Sequence, residues 1–143
     1  MKPKLIVIYL SVVLFLFVGL QVGIAAACCN DCNPRSPGYW KNHPEAWTGV
    51  EYMGLNQGEL LDWLNRPVAG DKRVTMFKAL IAAYLNKTLL GCSPCGWFGD
   101  AEDWWVDNGG SIVKAKSAAW QCDGEYLYWF LDDFNNGNWW WCD

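Results

Sequence analysis

Four sets of residues in this 143-residue chain are of types that do chemistry. Two Cys-x-x-Cys pairs, Cys29/Cys32 and Cys92/Cys95, carry the ligands for zinc or for thiol exchange. Residues 33–91 separate the pairs, well beyond the usual spacing of a four-thiolate zinc site. Thiol exchange needs a helix that starts at the first cysteine and lowers its pKa. Cys92-Ser93-Pro94-Cys95 instead follows a helical pattern and runs into Gly96-Trp97-Phe98-Gly99, the wrong context. Both pairs therefore read as halves of disulfides.

The second set is the polar cluster Tyr39, Lys41, Asn42 and His43, the single histidine, flanked by Trp40 and Trp47. It suits a small-ligand site ringed by indoles. It suits better a set of caps and hydrogen bonds that hold a sharp bend, because buried turn backbone must find partners. The third set is the adjacent carboxylates Glu102/Asp103 and Asp132/Asp133. Glycoside hydrolysis needs two carboxyl groups on opposite sides of the bond, roughly 5–9 Å apart, and neighbours on a helix diverge. One histidine rules out His-pair metal motifs, and neither Gly-x-Ser-x-Gly nor a phosphate loop is present. No catalytic residue, metal or cofactor is expected.

The fourth set is the aromatics. Eleven tryptophans are many for a chain this size. Trp139-Trp140-Trp141 cannot all point inward, because neighbours diverge by about 100° in a helix and alternate faces in a strand. Together with Tyr126 and Trp129 these rings are the expected binding surface. The competing reading is a tail folded back onto the core and pinned through Cys142.

The chain opens on Met-Lys-Pro-Lys, an apolar run from Leu5 to Leu20, and Ala25-Ala26-Ala27. That is a secretory signal over residues 1–27, with a single domain over 28–143; an uncleaved anchor helix is the alternative. All seven cysteines follow the signal, as in a disulfide framework of an exported protein. A lipid on Cys28 would leave six to pair. The expected bridges tie the Cys28–Cys32 cluster to Cys142 and the Cys92/Cys95 loop to Cys122. Acidic residues crowd positions 100–143 against Lys114 and Lys116 alone, so nucleic acid is not an expected partner.

Positioning falls to helices. Pro44 disfavours the α region at His43, so Ser36–Trp47 must be a turn, a short helical turn at Tyr39–Asn42, and a restart at Pro44. Trp40 and Trp47 then lie under the bend. Val50–Met53 alternates like a small strand or hairpin. Asn56 with Glu59 forms a capping box before Leu60, Leu61 and Leu64. Asp71 caps the clearest helix, with Val74, Phe77, Ile81 and Tyr84 at three- and four-residue spacing. Asn86-Lys87-Thr88 matches the glycosylation acceptor pattern, a match that arises often by chance. Asp100 caps a further helix with Trp104 and Trp105 inward. Ser111–Trp120 fits a helix or an extended crossing. Asp123–Phe134 forms the last helix, apolar on the Leu127/Leu131 face and again on the Tyr126/Trp129 face.

Gly38–Trp47 (GYWKNHPEAW) resembles the signature of an uncharacterised family of secreted and cell-surface prokaryotic domains. The likeness continues through Gly70-Asp71, Leu80–Ala83 with Leu85-Asn86, Ala101–Trp104, and Asn135-Asn136-Gly137 before Cys142. Where that group has Gly and Pro before a His-Cys ending, this chain has Trp139–Trp141 before Cys142. The resemblance implies architecture and location, with no activity attached.

The expected fold is mainly α: four or five short helices, at most one short hairpin, cross-linked by about three disulfides. The expected function is a non-enzymatic extracellular interaction module that binds a glycan or a surface protein through tryptophans. A structural envelope or matrix component and a small cell-wall hydrolase are the alternatives. Membrane contact is expected only through a lipid on Cys28 or an uncleaved signal.

Overall fold

The computed structural model describes residues 32–138, and these form five α-helices. They are α1 (Pro37–Asn42), α2 (Gln57–Asn65), α3 (Lys72–Leu90), α4 (Trp97–Asp107) and α5 (Glu125–Asn135). A 3-10 turn, Pro44–Trp47, follows α1, and a π-helical turn, Trp120–Gly124, leads into α5.

Helix α3 is the element that the others cover: α1, α2, α4 and α5 all pack on it. Its sequence explains why. Met76, Phe77, Leu80, Ile81 and Leu85 are buried on several faces, and Ala79, Ala82 and Ala83 let neighbouring helices approach closely. A helix apolar nearly all round has to sit at the centre of the core. It starts at Asp71, whose carboxylate accepts from Arg73 N at 3.1 Å. It ends at Gly91 in the left-handed region, φ 70°, where a Cβ would be strained. The Arg73 guanidinium donates to the Asp71 carboxylate and holds its pKa below the ordinary range, as hydrogen bonding to the charged form must.

Several local expectations hold for the physical reasons given. Helix α1 ends at Asn42 as expected but starts earlier than Tyr39, at Pro37, with Ser36 as its cap. His43 leaves the α region before Pro44, with φ −129° and ψ 57°, the restriction that a following proline imposes. Asn56 and Glu59 form a reciprocal capping box, with bonds of 3.1 and 2.8 Å. The strand expected near Val50–Met53 reduces to one bridge between Tyr52 and Leu55. Met53 and Gly54 both have positive φ, 52° and 75°, as a two-residue hairpin turn requires. Residues 111–117 are a crossing, and residues 118–119 already turn helically into the π turn. Asp71 accepts from Val113 N, and Val113 O accepts from Lys72 N at 2.8 Å, which pins the crossing to the start of α3.

Two expectations are corrected. Helix α4 begins at Trp97 rather than after an Asp100 cap, and Asp100 lies in its first turn, where a carboxylate complements the helix dipole. The disulfide framework also differs. Cys92 bonds to Cys32, with 5.5 Å between their Cα atoms. Cys122 is a free, exposed thiol among the described residues instead of the partner of the Cys92/Cys95 loop. The reason is long-range. Arg35 bonds through its backbone to the Asn86 side chain, and Gly91 turns Cys92 back onto Asn86 O, so Cys32 and Cys92 arrive together at the end of α3. Cys95 is disulfide-bonded as well. The expected signal over residues 1–27, with Cys28, Cys29 and Cys142, lies outside the described residues. A disulfide fits an oxidising compartment. No helix among the described residues is long and apolar enough to cross a membrane.

The π turn depends on one glycine. Gly124 is buried where the Trp104 indole passes beneath the chain, and a Cβ there would come within 2.5 Å of Trp104 Cζ2 and 2.9 Å of Trp120 Cε3. Both rings are themselves buried and cannot swing aside. Gly124→Ala should therefore destabilise by about 1–3 kcal/mol through overpacking. Chemical denaturation checks this, and an unchanged unfolding midpoint would contradict the close approach.

Candidate functional site

Two regions hold the residues that the sequence singles out, and they differ in kind. The first is the Gly38–Trp47 bend. Trp40 and Trp47 are buried beneath it, 2% and 1% exposed. Trp47 Nε1 donates to Trp40 O at 3.0 Å, and Trp40 Nε1 donates to Asn86 Oδ1 at 3.2 Å. Asn86 also accepts from Arg35 N and donates to Arg35 O and to Asn135 Oδ1. Asn135 in turn donates to Ala79 O at 2.9 Å. These bonds join the bend, α3 and α5 through a chain of buried amides and indoles. Asn86 is fully buried with its hydrogen-bonding capacity used, so the Asn86-Lys87-Thr88 pattern is no glycosylation site in the folded chain.

The polar residues on the bend look outward. Asn42 and His43 are exposed, and Tyr39 and Lys41 are half-buried. The His43 ring stacks on Tyr39 at 4.2 Å, and its Nδ1 lies 2.8 Å from Tyr39 O, a contact that requires the proton on Nδ1. Arg35 sits over the same Tyr39 ring at 5.0 Å. The Lys78 ammonium is pushed below its usual pKa by burial and by the nearby Lys41, both of which disfavour its charged form. This arrangement holds a bend. His43→Ala should cost no more than about 1 kcal/mol, the value of one exposed hydrogen bond with its stacking contact. A larger loss in thermal unfolding would mean that His43 does more than finish the turn.

The second region is a groove between α4 and the segment from the π turn into α5. Its volume is about 410 Å³, within the range of ordinary ligand sites. One wall is α4, where Asp100, Asp103 and Asp107 line the cavity; their three- and four-residue spacing places them on one face. Cys122 and Asp123 come from the π turn, and Trp97 and Tyr126 stand beside them. Trp104 and Leu127 are its buried members, and Trp104 Nε1 is tied to Ala119 O at 2.8 Å. A π turn inserts an extra residue and re-aims side chains, which is how such turns come to line sites. Here the turn places both Cys122 and Asp123 on the groove.

The aromatic surface continues from the groove along α5. Trp97 stacks on Phe130 at 4.2 Å, and Tyr126 meets both rings edge-on at 5.4 and 4.5 Å. Tyr126 and Trp129 are 51% and 57% exposed, high for such large rings. The structure thus brings Tyr126 beside the groove, with Trp129 three residues further along the same helix. Trp139, Trp140, Trp141 and Cys142 lie outside the described residues.

The adjacent acids separate. Tyr52 donates to Glu102 at 2.8 Å, and burial followed by that bond pushes the phenol well above its usual pKa. Asp103 faces the groove instead. Asp132 is engaged by Tyr128, whose pKa rises through burial and through that carboxylate. Both tyrosines are held neutral, because burial and a nearby negative charge each disfavour the phenolate. Among the described residues no group of three or more His, Cys, Asp or Glu side chains converges to hold a metal.

Sequence reasoning missed Trp97, Asp100, Asp107, Asp123 and Cys122 as groove residues. The signal is present in the i, i+3, i+7 spacing of the three aspartates. It is obscured because Asp100 fits a cap pattern equally well and Cys122 fits a disulfide half. Comparison with protein-family models, with curated proteins and with solved structures gives no match.

Proposed function

We propose that this chain is a non-enzymatic extracellular interaction module that binds another surface molecule through the aromatic face of α5 and the groove beside it. The observation that carries this reading is the exposure of Tyr126 and Trp129 next to an open groove. Exposed aromatic clusters on a folded domain mark contact sites, because leaving such rings in water gains nothing for the fold. The neighbouring acids support binding over hydrolysis, since Glu102 and Asp132 are engaged by tyrosines and do not pair with Asp103 and Asp133. The oxidised Cys32–Cys92 pair suits action outside the cytoplasm.

The test is to screen the protein on an array of neutral and acidic oligosaccharides and on tiled peptides of cell-surface proteins. Trp129→Ala and Tyr126→Ala follow on whatever is retained. The reading expects each variant to lose about 1–3 kcal/mol of binding, typical of truncated interface rings, with an unchanged melting temperature. Retention of no probe would leave the chain a structural envelope or matrix component. Turnover of cell-wall polymer that Asp123→Asn abolishes would make it a hydrolase.

A further inference from the structure

We propose that the end of the domain where α3 stops lies on the surface of a lipid bilayer, the one that holds the N-terminal segment of the chain. Its contact residues are the exposed pair Leu89 and Leu90, with Lys87 and Arg35 beside them. The contact is separate from the α5 face and stands whether or not that face binds a partner. Leu5 to Ala27 contains no charged residue, and Lys2 and Lys4 precede it. A stretch of that length and character can span a bilayer. Basic residues before it keep the start of the chain inside and send the domain outside. The Cys32–Cys92 disulfide agrees with that side. An uncut apolar segment and a lipid on Cys28 both bring the bilayer to the same point of the chain. From Cys28 to Cys32 is four residues, a reach of at most about 14 Å.

The fold fixes which end of the domain such a tether presents. Cys32 is bonded to Cys92, and the backbone of Arg35 bonds twice to the Asn86 side chain. The entering chain is thereby fastened to the end of α3. Leu89 and Leu90 lie in the last turn of that helix, each 41% exposed. A lone exposed leucine is ordinary. Two in succession, two residues before the cysteine that fastens the tether, form an apolar tip where the chain enters the domain. Lys87 and Arg35 are exposed at the same end, and cations beside an apolar tip suit the negatively charged headgroup region of a bilayer. The opposite end of the domain is far off. Helix α3 has 19 residues, about 28 Å at the rise of an α-helix. Its start holds the crossing through Val113, which carries Lys114 and Lys116 onward. A tether about half as long as α3 puts the Leu89–Leu90 end nearest the bilayer and the crossing farthest from it.

The experiment uses the full chain produced in a bacterial host. Membrane flotation and intact mass come first. The chain should float with the membranes and carry either the uncut segment or a lipid on Cys28; recovery from the medium with neither would overturn the proposal. The isotope-labelled chain is then placed in nanodiscs of phosphatidylcholine and phosphatidylglycerol. Amide relaxation is recorded with a gadolinium chelate free in the water and, separately, with one attached to a lipid headgroup. The lipid-borne chelate should relax the amides of residues 87–93 several-fold more than those of residues 111–117, and the aqueous chelate should show the reverse order. Leu89→Ser with Leu90→Ser, both exposed, should weaken the lipid-borne effect several-fold while the chain stays in the nanodisc and its melting temperature holds. A double variant that keeps the parent's pattern would show that the tether alone accounts for it, and would overturn the docked end. A lipid-borne chelate that relaxes no amide of residues 32–138 would overturn it as well. Strongest relaxation at residues 122–130 would overturn it too, and would assign the bilayer to the Tyr126 and Trp129 face. Should the double variant fail to fold, Leu89→Ser and Leu90→Ser singly decide in its place.

Discussion

Asn86→Ala should be among the most damaging single substitutions in the described chain, although it removes only a polar side chain. Its amide serves Trp40 Nε1, both backbone groups of Arg35, and Asn135 Oδ1, and it is fully buried. Alanine would leave Trp40 Nε1 and Asn135 Oδ1, both in buried bonds, without this partner. Each orphaned buried donor or acceptor costs roughly 1–3 kcal/mol, so the total should reach at least about 3 kcal/mol. Urea unfolding should show a lower midpoint with an unchanged slope. Asn135→Ala should be strongly non-additive with it, with a coupling of about 1–2 kcal/mol, because the two amides share one network. Additive losses would show that the bend and α5 are not joined through these side chains.

Trp47→Ala should cost about 3–5 kcal/mol, the range for large aromatics removed from a core. Trp47 is 1% exposed, fills the space under the 3-10 turn, and ties its indole N–H to Trp40 O. The lost volume cannot be recovered by collapse, because Pro44 and the Trp40 carbonyl fix the chain above it. Trp129→Ala makes the control. Its ring is 57% exposed. The variant should stay within about 0.5 kcal/mol of the parent, as surface changes do. The contrast separates tryptophans that build the fold from those it leaves exposed. Similar losses at both positions would erase that distinction.

Elements whose cause is local are legible in the sequence. The Asp71 cap and the Val74/Phe77/Ile81 stripe report one helix packing on one core, and both features lie within a few turns. The bend at His43–Pro44 follows from a steric rule that acts between neighbours. What escapes the sequence depends on partners far along the chain. Cys122 reads as a disulfide half because thiol counting ignores which ends of the fold meet, and Cys32 meets Cys92 only through Arg35 and Asn86. Gly124 reads as an ordinary residue in the first turn of the last helix. Its role exists only because the Trp104 ring of α4 crosses beneath it. The groove is illegible for the same reason, since one wall is α4 and the other is a π turn that no periodicity announces. The aspartate stripe on α4 is visible in spacing alone, but the surface it faces is not.

We propose that the Gly38–Trp47 bend builds the fold and the α4–α5 face binds, and amide chemical-shift mapping tests that division most directly. The labelled protein would be titrated with a glycan or peptide retained in the array screen, and the perturbed amides placed on the structure. Shifts should concentrate at residues 97–107 and 122–130, with Tyr39–Trp47 unmoved. Perturbation centred on Tyr39, Lys41 and His43, with the groove silent, would contradict the division and move the binding site to the bend.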